Sequence, residues 1–337
     1  MLKEGNLIHF VDSIVSSAGQ LILKQLNDPD VKDVIRQANG ALLVDKIGDG
    51  LIKIGEMSEV DCESFLHAIA AYMGQGLSED EPKLEGNLPK RSPFRGERIE
   101  ASIRPVSHAG PTFVIRKPCL LDLSVHDYID QGSLSPGQLK QIDNALLGRA
   151  VGDGGEVIKT SPKNIYVIGG TGTGKTTFLN AILKRAIELI PNLRYLILEG
   201  EPEVVNPNPD YSVCLQTDKD SGIDSDELVA MTLRYSPKRI CLGELRRKEC
   251  FSFLEAANTG HPGSIATIHA DSAEEGLHRT ENILQQHGYV PNPFQIAKTI
   301  GFLIYIERGD GLPRIKECRV VNGYNAQNKK YSTVEVR

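Results

Sequence analysis

The run IYVIGGTGTGKTTFLNAIL, residues 165–183, constrains this chain more than any other stretch. Four apolar residues in a row read as a buried strand. Gly169, Gly170, Gly172 and Gly174 then form a turn around Thr171 and Thr173, and TTFLNAIL carries its apolar residues at helical spacing. Strand, glycine-rich turn and helix start together match G-x-x-x-x-G-K-[ST] in the context that gives the motif its meaning. The chemistry follows from the backbone. Glycines let successive N–H groups point inward around a polyphosphate, and the helix start adds the positive end of its dipole. Lys175 then reaches the β and γ phosphates, and the Thr176 hydroxyl is placed to ligate Mg²⁺. The stretch predicts a nucleoside triphosphate site.

From residue 165 onward, short apolar runs alternate with helical stretches. IYVI, YLIL, VCL, RICL, SIATI and FLIYI are separated by segments such as TTFLNAILKRAIELI and SAEEGLHRTENIL. Runs of this kind indicate a largely parallel, buried sheet with crossover helices, so the fold class is α/β. The end, PRIKECRVVNGYNAQNKKYSTVEV, reads as a terminal hairpin. Upstream the pattern is α+β. Leu7, Phe10, Ile14, Ala18 and Leu21 lie at helical spacing, and ALLVDKIGDGLIKIG reads as a hairpin turning at Asp49-Gly50. A helix is expected from about 63 to 72, then a Pro- and charge-rich connection, then strands in RIEASIRPV and PTFVIRK. The chain therefore divides into an α+β domain at 1–117, a linker and entry segment at 118–164 with one short helical stretch, and a nucleotide-binding domain at 165–337. Within the linker, AVGDGGEVIKTSPKN (150–164) reads as an exposed, mobile loop.

Three further clusters carry chemistry. RICLGE ends an apolar strand on Glu244, which reads as a Walker B acid near Mg²⁺ and the attacking water; the bland alternative is a strand-end acid in solvent. YLILEGEPEV ends another strand on Glu199, Glu201 and Glu203. Three carboxylates in five residues repel one another unless a cation or open water is near, and a solvated acidic loop remains an alternative. TGHPGSIATIHA sets His261 and His269 eight apart. Metal binding fits them poorly, because no third ligand lies at a recognisable spacing and the pair brackets a strand. Two satisfied strand-flanking histidines remain an open reading.

Composition narrows the class. A length of 337 residues suggests about two domains. The net charge of −6, the lack of tryptophan and 6% aromatics speak against a nucleic-acid translocase, which needs a basic groove bearing aromatic side chains. No N-K-x-D run reads guanine, so ATP is preferred over GTP. The six cysteines form no C-x-x-C pair and read as free thiols of a reducing cytosol. No apolar run approaches the ~18 residues of a membrane span. The N-terminal apolar stretch is interrupted by His9 and Asp12, which makes it a poor signal peptide.

Taken in order, GGTGTGKTTFLNAIL, the acidic strand end, LRYSPKRICLGELR and AANTGHPGSIATIHADSAEEGLHR resemble the type II/IV secretion ATPases. Within them, the chain is most similar to the VirB/TrbB-type traffic ATPases of type IV secretion and conjugal transfer. LNDPDVKDVIRQANG, RIEASIRPV, TFVIRKP and SVHDYIDQGSLSPGQ extend the resemblance, more loosely, over most of the chain. The resemblance implies a C-terminal RecA-like P-loop NTPase domain behind an N-terminal PAS-like α+β domain, assembled as a hexameric ring. It implies ATP and Mg²⁺ as ligands and a cytoplasmic protein, peripheral on the inner membrane, that contacts other secretion-system components. The implied activity is that of a Mg-ATP-hydrolysing motor powering pilus biogenesis or substrate transfer, with no sequence-specific nucleic-acid binding.

Residue by residue, the resemblance makes Gly169, Gly170, Thr171, Gly172, Thr173, Gly174, Lys175, Thr176 and Thr177 the Walker A loop. Glu244 becomes the Walker B acid, sharing Mg²⁺ with Thr176, and Glu203 the last acid of the family's Asp box. Thr259, Gly260, His261, Thr267, Ile268 and His269 match the His box, with His269 sensing the γ-phosphate or the attacking water and His261 in support. Arg98 and Arg116 resemble N-terminal arginines that reach the γ-phosphate, with Arg104 and Arg234 as further candidates. There are three departures. Gly200 stands where the family usually has Asp, Arg247 follows GE-x-R where Asp is frequent, and the loop at 150–164 is long. The Gly200 departure leaves room for a non-enzymatic reading, an ATP-binding scaffold whose bound state gates assembly. The lack of a four-cysteine metal module separates the chain from the type II secretion and pilus-extension branch.

Overall fold

A computed structural model describes residues 4–117, 123–152, 155–200, 203–218, 221–232, 234–309 and 312–336. The chain forms two compact units, Met1–Cys119 and Leu120–Arg337. Among the described residues no helix is long and apolar enough to cross a membrane. The five described cysteines are free thiols, and Cys119 lies outside the described residues.

The first unit runs α1 (Glu4–Asn27), β1 (Val31–Arg36), β2 (Ala41–Lys46), β3 (Gly50–Glu56), α2 (Glu59–Met73), β4 (Lys83–Asn87), β5 (Arg98–Ser102) and β6 (Thr112–Arg116). The strands form one antiparallel sheet in the order β3-β2-β1-β6-β5-β4. Alternate residues such as Val34, Val44, Ile99 and Ile115 share a core with Ile14 and Ile22 of α1 and Phe65 and Ile69 of α2. The expected hairpin is present, but Lys46 pairs with Gly50, so the loop is 47–49 and Gly50 starts the strand at φ 74°. Helix α2 is longer than its apolar pattern suggests, because Ser58 accepts a hydrogen bond from Asp61 N at one end and Gly74 closes the other in the left-handed region. The charge-rich connection is not all loop. It contains β4, whose Leu84 is fully buried among exposed neighbours.

The second unit begins with α3 (Val125–Asp130), α4 (Pro136–Leu147), β7 (Arg149–Val151) and β8 (Val157–Lys159). It continues through β9 (Asn164–Ile168), α5 (Lys175–Leu189), β10 (Tyr195–Glu199), β11 (Val213–Gln216), α6 (Ser225–Thr232), β12 (Arg239–Leu245) and α7 (Glu249–Asn258). β13 (Ile265–Ile268), α8 (Ala273–Gln286), α9 (Pro293–Thr299), β14 (Ile300–Glu307), β15 (Arg314–Asn325) and β16 (Lys330–Glu335) complete it. Eight strands order as β11-β10-β12-β13-β9-β14-β15-β16, parallel from β11 to β14 and closed by the antiparallel terminal hairpin.

Burial on both faces explains the continuous apolar runs. Ile165 and Val167 of β9 pack with Phe178 and Ile182 of α5, while Tyr166 and Ile168 pack with Phe253 of α7 and Leu277 of α8. The segment expected to be a linker departs from that reading. Ser124 and Ser135 each complete a capping box, which starts two helices rather than one, and Tyr128 and Ile142 then bury in the core beside α5. Likewise the stretch expected as a loop at 150–164 contributes to the β7–β8 hairpin, with Val157 and Ile158 exposed.

Candidate nucleotide site

Strand order sets the site. β13 lies between β9 and β12, and Ile268 pairs with Ile168, so Gly169 and His269 leave neighbouring strands side by side. In open α/β sheets ligands bind at such carboxyl edges. Between Leu242 and Leu245 the β12–β13 register slips, and the Thr267 hydroxyl donates to Gly243 O at 2.6 Å across the irregularity. The bulge turns Glu244 toward His269.

The loop itself is built on two left-handed glycines, Gly172 at φ 69° and Gly174 at φ 85°. Gly174 also admits no side chain sterically, since a Cβ there would lie 2.3 Å from Pro313 Cγ. It opens α5 without any side-chain cap, which leaves the first-turn N–H groups for a ligand. Lys175 is 7% exposed and donates to Gly169 O at 3.0 Å, Gly170 O at 2.8 Å and His269 Nδ1 at 3.0 Å. Burial pulls its pKa down to about 8, against the opposing pull of Glu244.

His269 continues the chain of contacts. Its Nε2 lies 2.7 Å from Glu244 Oε1, and the other carboxylate oxygen pairs with Arg246. Burial alone would raise the Glu244 carboxyl, but His269 and Arg246 overcome it and hold the pKa down to about 2. Nε2 and Oε1 approach without hydrogen-bond alignment, so that buried oxygen has no hydrogen-bond donor among the described residues.

The acidic strand end resolves into separate roles. Glu199, 6% exposed, accepts from Glu203 N at 3.0 Å and Val204 N at 2.8 Å through Oε2, so it anchors the loop. Asn180 on α5 clamps the same loop, donating to Glu203 O at 3.1 Å and accepting from Val205 N at 3.0 Å. Held this way, Glu203 Oε2 accepts from the Thr176 hydroxyl at 3.0 Å. Glu201 lies outside the described residues. At Gly200 a Cβ would meet only Thr217 Oγ1 at 3.8 Å, so no close approach demands glycine there.

The two histidines are separated by the strand they bracket, about 13 Å at the usual rise. His261 sits at the opposite end of β13 from the loop, where its carbonyl accepts from the Ser264 hydroxyl at 2.7 Å. The buried Asn164 pins that turn, accepting from Gly263 N at 3.0 Å and Ser264 N at 2.9 Å and donating to Thr299 O at 2.7 Å. His261 is therefore not brought to His269. In the first unit, Arg98 and Arg116 stand directly opposite one another on β5 and β6. Arg98 pairs with Glu85 at 3.1 Å, and Arg116 makes a two-pronged pair with Asp33 at 3.0 and 3.3 Å. Arg104 pairs with Glu59, and Arg234 follows α6.

Sequence reasoning missed Asn180 and Arg246. An asparagine amid the apolar face of TTFLNAIL was the available signal for the first. The two-residue spacing from Glu244, which sets side chains on one face of a strand, was the signal for the second.

The oxygens of Thr176, Glu203 and Glu244 are hard donors of the kind Mg²⁺ takes, and the donorless Glu244 Oε1 suits a cation or a water. No cluster of three His, Cys, Asp or Glu side chains arranged for a metal occurs among the described residues. Mg²⁺ in phosphoryl-transfer sites commonly uses only one or two carboxylates together with phosphate oxygens.

Fold and site place the chain among mixed α/β proteins that present a glycine-rich loop, a strand-end acid and a histidine at one sheet edge. The family model for the type II/IV secretion system protein matches residues 136–306, about half of the chain. The chain belongs to that family. It is 29% identical over 317 residues to a probable conjugal transfer protein TrbB of Sinorhizobium fredii, covering 93% of this chain and 91% of the relative. It is 33% identical over 231 residues to a type IV secretion system protein VirB11 of Bartonella henselae, covering 61% of this chain and 62% of that one. In fold it is similar to the ATPase DotB of Legionella pneumophila, with a TM-score of 0.58 at 17% identity, over 97% of this chain and 79% of that one.

Proposed function

We propose that this chain is the Mg²⁺-ATP-hydrolysing motor of a bacterial type IV secretion or conjugal transfer system. One observation carries the reading: Lys175, His269 and Glu244 form an unbroken chain of contacts of 3.0 and 2.7 Å beside an uncapped helix start. Residues 1–117 form a PAS-like domain and residues 165–337 a RecA-like one, with 118–164 leading into the latter. The relatives named for conjugal transfer and type IV secretion support the setting, and the fold likeness to an ATPase supports the architecture.

The chain is an ATP-hydrolysing enzyme. The N–H groups of Gly170, Thr171, Gly172, Thr173, Gly174, Lys175, Thr176 and Thr177 wrap the phosphates, and Lys175 exchanges its carbonyl partners for phosphate oxygens. Thr176 and Glu244 would hold Mg²⁺, which supplies neutralising charge at the β and γ oxygens. Glu244 orients the attacking water, with Glu203 in support, and His269 reads the γ-phosphate through the contact it now makes with Lys175. Arg98 and Arg116 reach the γ-phosphate from the N-terminal domain, and their release after hydrolysis lets that domain swing. The working form is a hexameric ring in the cytoplasm, peripheral on the inner membrane and docked on other secretion components.

The test is steady-state ATP hydrolysis and fluorescent-nucleotide binding by the wild type, Lys175→Ala and Glu244→Gln, with mass by light scattering. Expected are loss of turnover in both variants, retained nucleotide binding in Glu244→Gln, and a wild-type mass near six subunits with Mg²⁺-ATP. A wild type that binds nucleotide without turnover would instead make the protein an assembly scaffold.

A further inference from the structure

We propose that Arg246 is a catalytic residue of this site: its guanidinium, here paired with Glu244, transfers to the γ-phosphate of bound ATP and stabilises the charge that develops as the phosphoryl group leaves. The inference rests on the ATP-hydrolysis reading above and adds to it a cation from the residue just past β12, the strand that carries the water-orienting acid.

Connectivity is the first support. Lys175, His269, Glu244 and Arg246 form one continuous cluster, so Arg246 stands one side chain beyond the group that faces the attacking water. The second is how Arg246 is mounted. Its own N–H and that of Arg247 both donate to Glu249 Oε1, at 2.7 and 2.8 Å. Glu249 is 5% exposed at the start of α7, so this buried carboxylate fixes the backbone from which the guanidinium projects. The Arg246 side chain itself is 65% exposed, against 22% for Glu244. A rigid base with a solvent-facing head suits a group that must change partners without moving the strand. The neighbouring cation is committed elsewhere, since Lys248 pairs with Asp224 at 2.9 Å and with Asp226 at 3.5 Å.

Charge supplies the direction of the transfer. Around the loop the cations Lys175 and Arg246 face the carboxylates Glu203 and Glu244, so the cluster is close to neutral. A γ-phosphate offers more negative charge than one carboxylate and matches the two-pronged guanidinium fork, so it competes for Arg246. The transfer also leaves Glu244 to act on water. In the step itself the water oxygen bonds to Pγ, and the bond from Pγ to the bridging oxygen breaks with its electron pair going to ADP. The water proton leaves through the product phosphate to solvent. Arginines placed against that charge act on the transition state more than on the ground state.

The decisive experiment compares wild type, Arg246→Ala and Arg246→Lys in three readouts. These are kcat and KM for ATP, affinity for ADP, and affinity for ADP with fluoroaluminate and Mg²⁺, which mimics the transferring phosphoryl group. Expected for Arg246→Ala is a fall of about 100-fold in kcat and a similar loss of fluoroaluminate-complex affinity. ADP affinity and KM should stay within about three-fold, which also reports an intact fold. Arg246→Lys, which keeps charge without the fork, should fall between the two, and millimolar guanidinium should partly restore Arg246→Ala. A variant that binds the ADP–fluoroaluminate complex as tightly as wild type overturns the proposal, as does one that loses ADP and the complex equally. Failure of the ATPase reading looks different: wild type would show no turnover, or Lys175→Ala would retain it.

Discussion

The side-chain amine of Lys175 should take up a proton when nucleotide binds. Burial lowers its pKa from 10.5 to about 8, so half of the molecules carry a neutral amine at pH 8 and about nine tenths do at pH 9. Phosphate oxygens favour the charged form and return the pKa toward its ordinary value. The sign is then settled: a lowered pKa that rises on binding means uptake, growing from about 0.5 proton at pH 8 to about 0.9 at pH 9. The same linkage weakens ADP binding about five-fold over that unit, or ~1 kcal/mol. Titration calorimetry with ADP in buffers of different ionisation enthalpy measures the uptake directly. Lys175→Arg removes it, because a guanidinium stays protonated throughout this range. Uptake that stays flat from pH 8 to pH 9 in the wild type would refute the reasoning, since it would mean the buried ammonium is already fully charged.

Asn164→Ala should lower the stability of the second unit by at least about 3 kcal/mol, because it strands Gly263 N–H, Ser264 N–H and Thr299 C=O in a buried turn at no less than ~1 kcal/mol each. A urea transition whose midpoint does not move would count against that accounting. Gly174→Ala should cost at least about ten-fold in nucleotide affinity, since it combines φ 85° with a Cβ 2.3 Å from Pro313 Cγ. Gly172→Ala, with a positive φ but nothing within 4 Å, should cost less, and equal losses in fluorescent-nucleotide titrations would show that the close approach is irrelevant.

Much of the fold could be read along the chain because it is local. Continuous apolar runs announced the parallel strands, since burial on both sheet faces leaves no polar face to alternate. The turn at 169–174 was legible for a similar reason, because its glycines answer backbone conformations set within the segment itself. Reading failed where local signals were weak or mixed. Two capping serines and a few apolar residues between 124 and 147 resembled a linker until packing beside α5 gave Tyr128 and Ile142 a core to enter.

The site divides along the same line. The primary structure supplied the candidate groups: Lys175, Thr176 and Glu244 stood out by motif, and Glu203 and His269 by resemblance to the family. Which of them meet depended on strand order and register, which no local pattern encodes. Placing β13 between β9 and β12 carries His269 to Lys175 and leaves His261 at the far end of the same strand. A slip in one register turns Glu244 toward His269, and the acidic run separates into an anchor at Glu199 and a Thr176 partner at Glu203. The contact between Lys175 and His269, 94 positions apart, forms only when distant strands pair, and so that partner of Lys175 became visible only in the folded chain.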